Sequence, residues 1–168
     1  DAVVNPKHRL MLMTTYSAGL RVSETAHLKL SDIDSERMMI RVDQGKGNKD
    51  RYSLLSLRLL DELRRYWKLY RPRFWLFPSR DQQQPINISS IQRAFIKAKQ
   101  RAGIHKPASV HTLRHSFATH LLEQGVDVFT LQKLLGHSSV KTTSIYIHIQ
   151  RKNLIKIINP LDQLLEDK

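Results

Sequence analysis

Two histidines, two arginines, a lysine and a tyrosine stand out in this chain for their types and their spacing. His111-Thr112-Leu113-Arg114 places an imidazole and a guanidinium three residues apart, on one face if the segment is helical. Leu134-Leu135-Gly136-His137 adds a second imidazole behind a glycine, and Tyr146 follows with a phenol. Upstream, Gly19-Leu20-Arg21-Val22-Ser23-Glu24 supplies an arginine and a carboxylate. Gly45-Lys46-Gly47-Asn48-Lys49 supplies a lysine between two glycines. A planar guanidinium grips two phosphate oxygens at once. An imidazole beside it donates to a phosphate oxygen or accepts a proton near neutral pH. A phenol becomes a nucleophile when its proton is drawn off, and an ammonium can protonate a leaving oxygen. The set as a whole suits the cleavage of a phosphodiester without a metal.

Taken singly, each of these residues has a plainer reading. Arg114 can pair with a carboxylate while His111 packs or caps. His137 lies at a helix C-terminus, where positive charge is favoured. Tyr146 stands among Ile145, Ile147 and Ile149 and reads as a half-buried core tyrosine. Arg21 can be a surface arginine beside Glu24, and Lys46 a solvated hairpin tip. The histidines His111, His115, His120, His137 and His148 also raise the question of a metal. His111 and His115 have the helical spacing of a zinc pair, but no glutamate completes the pattern and the chain has no cysteine. The expectation is no metal. What outweighs the plainer readings is that the six residues occur together, in one order.

The elements that must position them come next. The chain has 168 residues and 40% hydrophobic residues, enough for one domain with a core. Its formal charge of +13 comes from 28 Lys and Arg against 15 Asp and Glu and favours a polyanionic partner. Without cysteine there are no disulfides, and no apolar run is long enough to span a bilayer, so the cytoplasm is the expected compartment. Residues 7–18 read as a buried helix with Pro6 in its first turn and Gly19 at its end. A short helix over 22–29 follows, with Leu28 and Leu30 facing a core. Residues 31–34 form a brief strand or turn, and strands are expected at 38–42 and 51–55 around the Gln44–Asn48 turn. Residues 57–70 form an amphipathic helix with Leu60, Leu63, Trp67 and Tyr70 on its apolar side. Residues 78–88 are a polar loop. Ser89 or Ser90 caps a helix to about Ala102, Ser109 caps one ending near Gly125, and Asp127 caps one over 128–135, stopped by Gly136. Further helices are expected at 140–146 and 154–165. The fold class is therefore mainly α with a small antiparallel sheet.

The segments GLRVSE at 19–24, GKGNKDR at 45–51, HTLRHSFATHLL at 111–122 and LLGHSSVKTTSIYIH at 134–148 resemble the catalytic domain of tyrosine recombinases. This is the phage-integrase family, which includes Xer recombinases and the integrases of transposons and integrons. The resemblance implies that Arg21 and Arg114 bind the phosphate, Lys46 is the general acid, and His111 and His137 are active-site histidines. It makes Tyr146 the nucleophile and Glu24 an acidic residue that supports the site without doing chemistry. It implies duplex DNA as partner, no cofactor, and recombination, often of mobile genetic elements, through a 3′-phosphotyrosyl intermediate. Ile147 departs from the family, where threonine is frequent at that place. The helical domain that precedes the catalytic domain in the family is expected to lie outside this chain. The resemblance also implies that the tail, with Leu154, Ile155, Ile157, Ile158, Leu161, Leu164 and Leu165, docks on a neighbouring copy to build a tetramer on DNA. Its composition alone fits equally a helix folded back on its own core. Arg51, Arg93, Lys97, Lys99 and Arg101 are expected as phosphate contacts or as solvated charge. Two other functions fit parts of the pattern. A type IB topoisomerase uses similar chemistry to relax DNA, and a helix-turn-helix regulator would read residues 127–149 as a DNA-binding motif without catalysis.

Overall fold

A computed structural model of the chain describes residues 2–43 and 50–136. Lys46, His137, Tyr146 and the helices expected at 140–146 and 154–165 lie outside the described residues.

Helix α1 spans Pro6–Ser17, with Asn5 as its cap: the Asn5 side chain accepts from the His8 N–H. The helix ends by a local mechanism. The Gly19 N–H donates to Tyr16 O and the Leu20 N–H donates to Thr15 O, which satisfies the last carbonyls of the helix. Gly19 sits at φ +59, and a Cβ there would lie 2.2 Å from Cδ1 of Phe117. Both the backbone and the space at this turn therefore demand glycine. Gly19→Ala is expected to cost about 3 kcal/mol, combining left-handed strain with overpacking. Gly103→Ala, at φ +65 with nothing within 4 Å of the added Cβ, isolates the strain and is expected to cost about half of that. Urea unfolding of both variants checks this, and equal costs would mean that Phe117 moves aside freely.

After the turn, α2 spans Val22–Ala26, followed by a 3-10 turn and a sheet of β1 (Ile33–Asp34), β2 (Met39–Val42) and β3 (Arg51–Leu54). The strands pair antiparallel in that order, with Ile40 opposite Ser53 and Val42 opposite Arg51. Helix α3 spans Leu57–Tyr70 with Ser56 capping the Leu59 N–H. Helices α4 (Ile88–Arg101), α5 (Val110–Glu123) and α6 (Val128–Leu135) complete the described chain. The architecture is mainly helical with one small antiparallel sheet, as the pattern of elements predicts.

Some local features differ from what the sequence suggests. In α3, Leu60 and Leu63 are buried, but Trp67 and Tyr70 are 43% and 37% exposed, and Leu59 and Tyr66 take the inner positions. Tyr66 stacks on Tyr70 and tilts against Phe77, while the Arg71 guanidinium lies 4.2 Å from the Trp67 ring centre, which gives that indole a partner at the surface. Helix α4 begins earlier than Ser89 or Ser90 allows, because Asn87 accepts from the Ser89 N–H and caps it. In β3, Arg51 and Ser53 face inward and Tyr52 and Leu54 outward, the reverse of what polarity dictates.

The interior has two parts. The larger is built around Met11, Leu20, Ile40, Leu59, Phe77 and Ile91. A smaller cluster of Phe117, Ala118, Leu122, Leu131 and Leu135 joins α5 to α6. Thr15 and Thr25 share a hydroxyl hydrogen bond of 3.0 Å inside the first part, which locks α2 to the end of α1. The seam between the two parts is where the functional side chains gather.

Candidate active site

Arg21 and Glu24 are placed by the Gly19 turn. The Glu24 carboxylate folds back one turn and accepts from the Arg21 backbone N–H at 2.7 Å, closing the first turn of α2. The same carboxylate accepts from the Arg21 guanidinium at 2.8 Å. From the sheet, Arg51 brings Nη1 and Nη2 to the two Glu24 oxygens, each at 2.8 Å. From α5, Arg114 Nη1 stands 3.6 Å from Glu24 Oε2. One carboxylate thus faces three guanidiniums from three parts of the chain. Burial alone would push the Glu24 carboxyl up, but the Arg51 hydrogen bonds and charge, with those of Arg21, hold it down at about 2. It is therefore ionised at any physiological pH.

Arg114 is the deepest of the cations, 2% exposed. Its Nη1 donates to Gly19 O at 2.7 Å and its Nη2 to Leu135 O at 2.6 Å. Those carbonyls belong to the helix-ending turn of α1 and to the last residue of α6, so the guanidinium bridges the two halves of the interior. Two buried carbonyls at helix ends receive donors, as buried peptide groups require. Ser53 serves the same turn from the sheet: its hydroxyl donates to Ala18 O at 2.6 Å.

His111 is exposed on the first turn of α5, one turn before Arg114. Partial burial, then the charges of Arg114, His115 and Arg21, lower its pKa, so the imidazole is neutral and able to accept a proton near neutral pH. The Arg21 side chain is about one-third exposed, against one-tenth for Glu24. The cluster therefore carries an excess of positive charge, with Arg21 and His111 at its open side and Glu24, Arg51 and Arg114 below. Such preorganised donors suit an anion with charge on its peripheral oxygens.

Of the residues the sequence singles out, the structure brings Arg21, Glu24 and Arg114 together, with His111 beside them. Arg51 differs from its expectation. It is 9% exposed and hydrogen-bonded to both Glu24 oxygens and, through Nε, to Leu134 O at 2.9 Å, so it is not solvated charge. Arg93, Lys97, Lys99 and Arg101 all lie on α4, with Arg93 reaching Ser90 Oγ at 3.3 Å. Among the described contacts, none joins them to the Glu24 cluster. The carbonyls of Gly19, Leu134 and Leu135 are the parts that residue types do not reveal. The one signal available was the alternation of Arg51 and Ser53 with Tyr52 and Leu54, which places two polar side chains on a single strand face.

The chain belongs to the phage integrase family, whose model matches residues 4–153. Within it, the chain is 48% identical over 162 residues to a Sinorhizobium fredii protein provisionally named integrase/recombinase y4qK, covering 96% of this chain and 53% of that one. It is 38% identical over 157 residues to the tyrosine recombinase XerA of Pyrococcus horikoshii, covering 92% of this chain and 54% of that one. In structure it is similar to a crystal structure of XerA recombinase, with a TM-score of 0.80, 32% identity, and 92% of this chain and 58% of the other covered. A XerH site-specific recombinase in a post-cleavage complex with a palindromic difH substrate gives 0.79 at 26% identity, over 93% and 46%. The fold is that of a tyrosine-recombinase catalytic domain. The chain spans about half the length of these relatives.

Proposed function

We propose that this chain is the catalytic half of a site-specific DNA recombinase that cleaves and rejoins strands through a 3′-phosphotyrosyl link at Tyr146. The observation that carries the reading is the convergence of Arg21 and Arg114 on Glu24 with His111 on the adjoining turn, in a chain of this family. Relatives named tyrosine recombinase and a neighbour crystallised after cleavage of its DNA substrate support it.

In this reading Arg21, Arg114 and His137 hold the non-bridging oxygens of the scissile phosphate and stabilise the charge that grows there. A free phenol has a pKa of about 10 and needs that cationic surrounding to attack as phenolate. The Tyr146 oxygen bonds to phosphorus, the bond from phosphorus to the 5′-oxygen breaks, and Lys46 gives that oxygen its proton. His111, held neutral, takes the phenol proton or orients the phosphate. A 5′-hydroxyl from a second strand reverses the step. One phosphoester replaces another, so the exchange requires neither ATP nor a metal. The reading includes assembly as a tetramer on DNA through residues 154–165. Truncation after Asn153 that leaves the number of copies on DNA unchanged would remove that part.

The test is a trapping assay. The chain, alone and within a longer protein that carries the family's preceding helical domain, is incubated with nicked duplexes from DNA flanking its gene, with chelator present. A covalent adduct on a denaturing gel, mapped by proteolysis to the peptide containing Tyr146, is the expected result. Duplex binding without an adduct would instead make it a non-catalytic DNA-binding protein. Relaxation of supercoiled DNA without strand exchange between two duplexes would make it a topoisomerase.

A further inference from the structure

Of the three guanidiniums facing Glu24, Arg51 hydrogen-bonds both carboxylate oxygens, through Nη1 and Nη2, and a backbone carbonyl besides, that of Leu134 at the end of α6, through Nε. Its stem lies against Gly136. A Cβ on Gly136 would come within 2.5 Å of Arg51 Cδ and 2.9 Å of Nε, and Gly136 sits at φ +63, so only glycine fits this seat. The donor count on Glu24 explains what Arg51 does for its neighbours. A carboxylate offers about four acceptor positions. The Arg21 N–H, the Arg21 guanidinium and the two Arg51 donors supply four hydrogen bonds. Arg114 stays at 3.6 Å from Glu24, beyond hydrogen-bond length, and is held instead by Gly19 O and Leu135 O. With Arg51 removed, two acceptor positions would open on a buried anion, with the Arg114 guanidinium only 3.6 Å away and able to turn toward them.

We propose that Arg51 is a positioning residue: it saturates Glu24 and ties it to the end of α6, so that Arg114 keeps its carbonyl-defined orientation rather than collapsing onto the carboxylate. The inference rests on the recombinase reading of the same site. It applies to a residue held by Glu24 and the Leu134 carbonyl, and it joins sheet, α2, α5 and α6 into one frame around the scissile group. A displacement of about 1 Å in a catalytic group can cost on the order of a hundredfold in rate.

The test replaces Arg51 by Met, which keeps the stem, and by Lys, which keeps the charge without the fork. In the trapping assay on nicked duplexes, Arg51→Met is expected to slow single-turnover adduct formation about 10- to 100-fold while duplex affinity stays within about threefold. Arg51→Lys should restore little, because a point charge cannot bridge two oxygens and a carbonyl. In a Glu24→Gln background, Arg51→Met should add less than about threefold, since the two act through one contact. The acid limb of the cleavage profile should move to higher pH in Arg51→Met. Among the described residues, Glu24 then faces Arg21 and Arg114, with His27, Lys29, Asp32 and Asp43 lining the hollow beside it. Independently of catalysis, the Nε–Hε NMR signal of Arg114 should shift in both variants. Cleavage at the wild-type rate, or a loss of affinity matching the loss of rate, would overturn the proposal, the latter by making Arg51 a phosphate contact. If wild-type protein forms no adduct, the recombinase reading fails, and an unmoved Arg114 signal then decides against Arg51 separately. Should Arg51→Met not fold, Arg51→Lys carries the same measurements.

Discussion

Arg114→Met is expected to slow strand cleavage roughly 100- to 1,000-fold and, unlike Tyr146→Phe, which should abolish cleavage, to lose stability with it. The two fail for different reasons. Under the proposed mechanism, Tyr146→Phe removes the oxygen that would bond to phosphorus and should leave duplex binding in place. Under the same mechanism, Arg114→Met removes a cation that would meet charge in the transition state, where loss of one such donor costs roughly 100- to 1,000-fold. It also strips Gly19 O and Leu135 O of their donor in a site that is 2% exposed. An unsatisfied buried acceptor costs about 1–3 kcal/mol, and removing one member of a buried charged network about 3–5 kcal/mol. A loss near 4 kcal/mol is a large part of an ordinary domain's stability. Because the two carbonyls belong to the two halves of the interior, the unfolding transition should also broaden as those halves uncouple. Urea unfolding followed at Trp67 and Trp75, alongside the trapping assay, checks both claims. An unchanged urea midpoint would show that the carbonyls find other donors, and an adduct at the wild-type rate would remove Arg114 from the chemistry.

Acid should unfold this protein through Glu24. The folded-state carboxyl titrates at about 2, whereas its ordinary value is 4.5. A depressed carboxylate pKa stabilises the fold wherever the group is ionised in both states, that is, above about pH 5. The contribution shrinks as pH falls from about 5 toward 2, and its full size is roughly 3 kcal/mol. The exposed carboxylates of Asp43, Asp81 and Asp127 are lowered as well, by hydrogen bonds to Lys29, Ser79 and Thr130 respectively, and act in the same direction. Glu24→Gln separates them. It should be less stable than wild type at pH 7 by about 3 kcal/mol, since three guanidiniums then face an amide. Its stability should fall less steeply between pH 5 and 3, because the largest titrating contribution is gone. Urea midpoints at pH 7, 5, 4 and 3 for both proteins give the comparison. Parallel curves would show that Glu24 does not govern the acid response.

The resemblance of the chain's motifs pointed to the family and implied the gathering of Arg21, Glu24 and Arg114 in one site. Residue spacing defined α3 and α6 and the Gly19 turn. These were legible because their causes are local: Ser56 and Asp127 cap the residues just after them, and glycine follows the helix that it ends. The rest depended on where the chain crosses itself. Arg51 and Ser53 turn inward against their polarity because a carboxylate 27 residues away and a carbonyl 35 residues away stand beneath them. Arg114 is fixed by carbonyls 95 and 21 residues distant, which carry no side-chain signature. Trp67 and Tyr70 share the spacing of the α3 apolar stripe yet lie outward, because Leu59 and Tyr66 take the inner places. The sequence determined which groups this protein can bring to a phosphate. The tertiary structure decided which of them stay at its surface and which are consumed in holding the others, because a buried charge must find its partners wherever the fold places them.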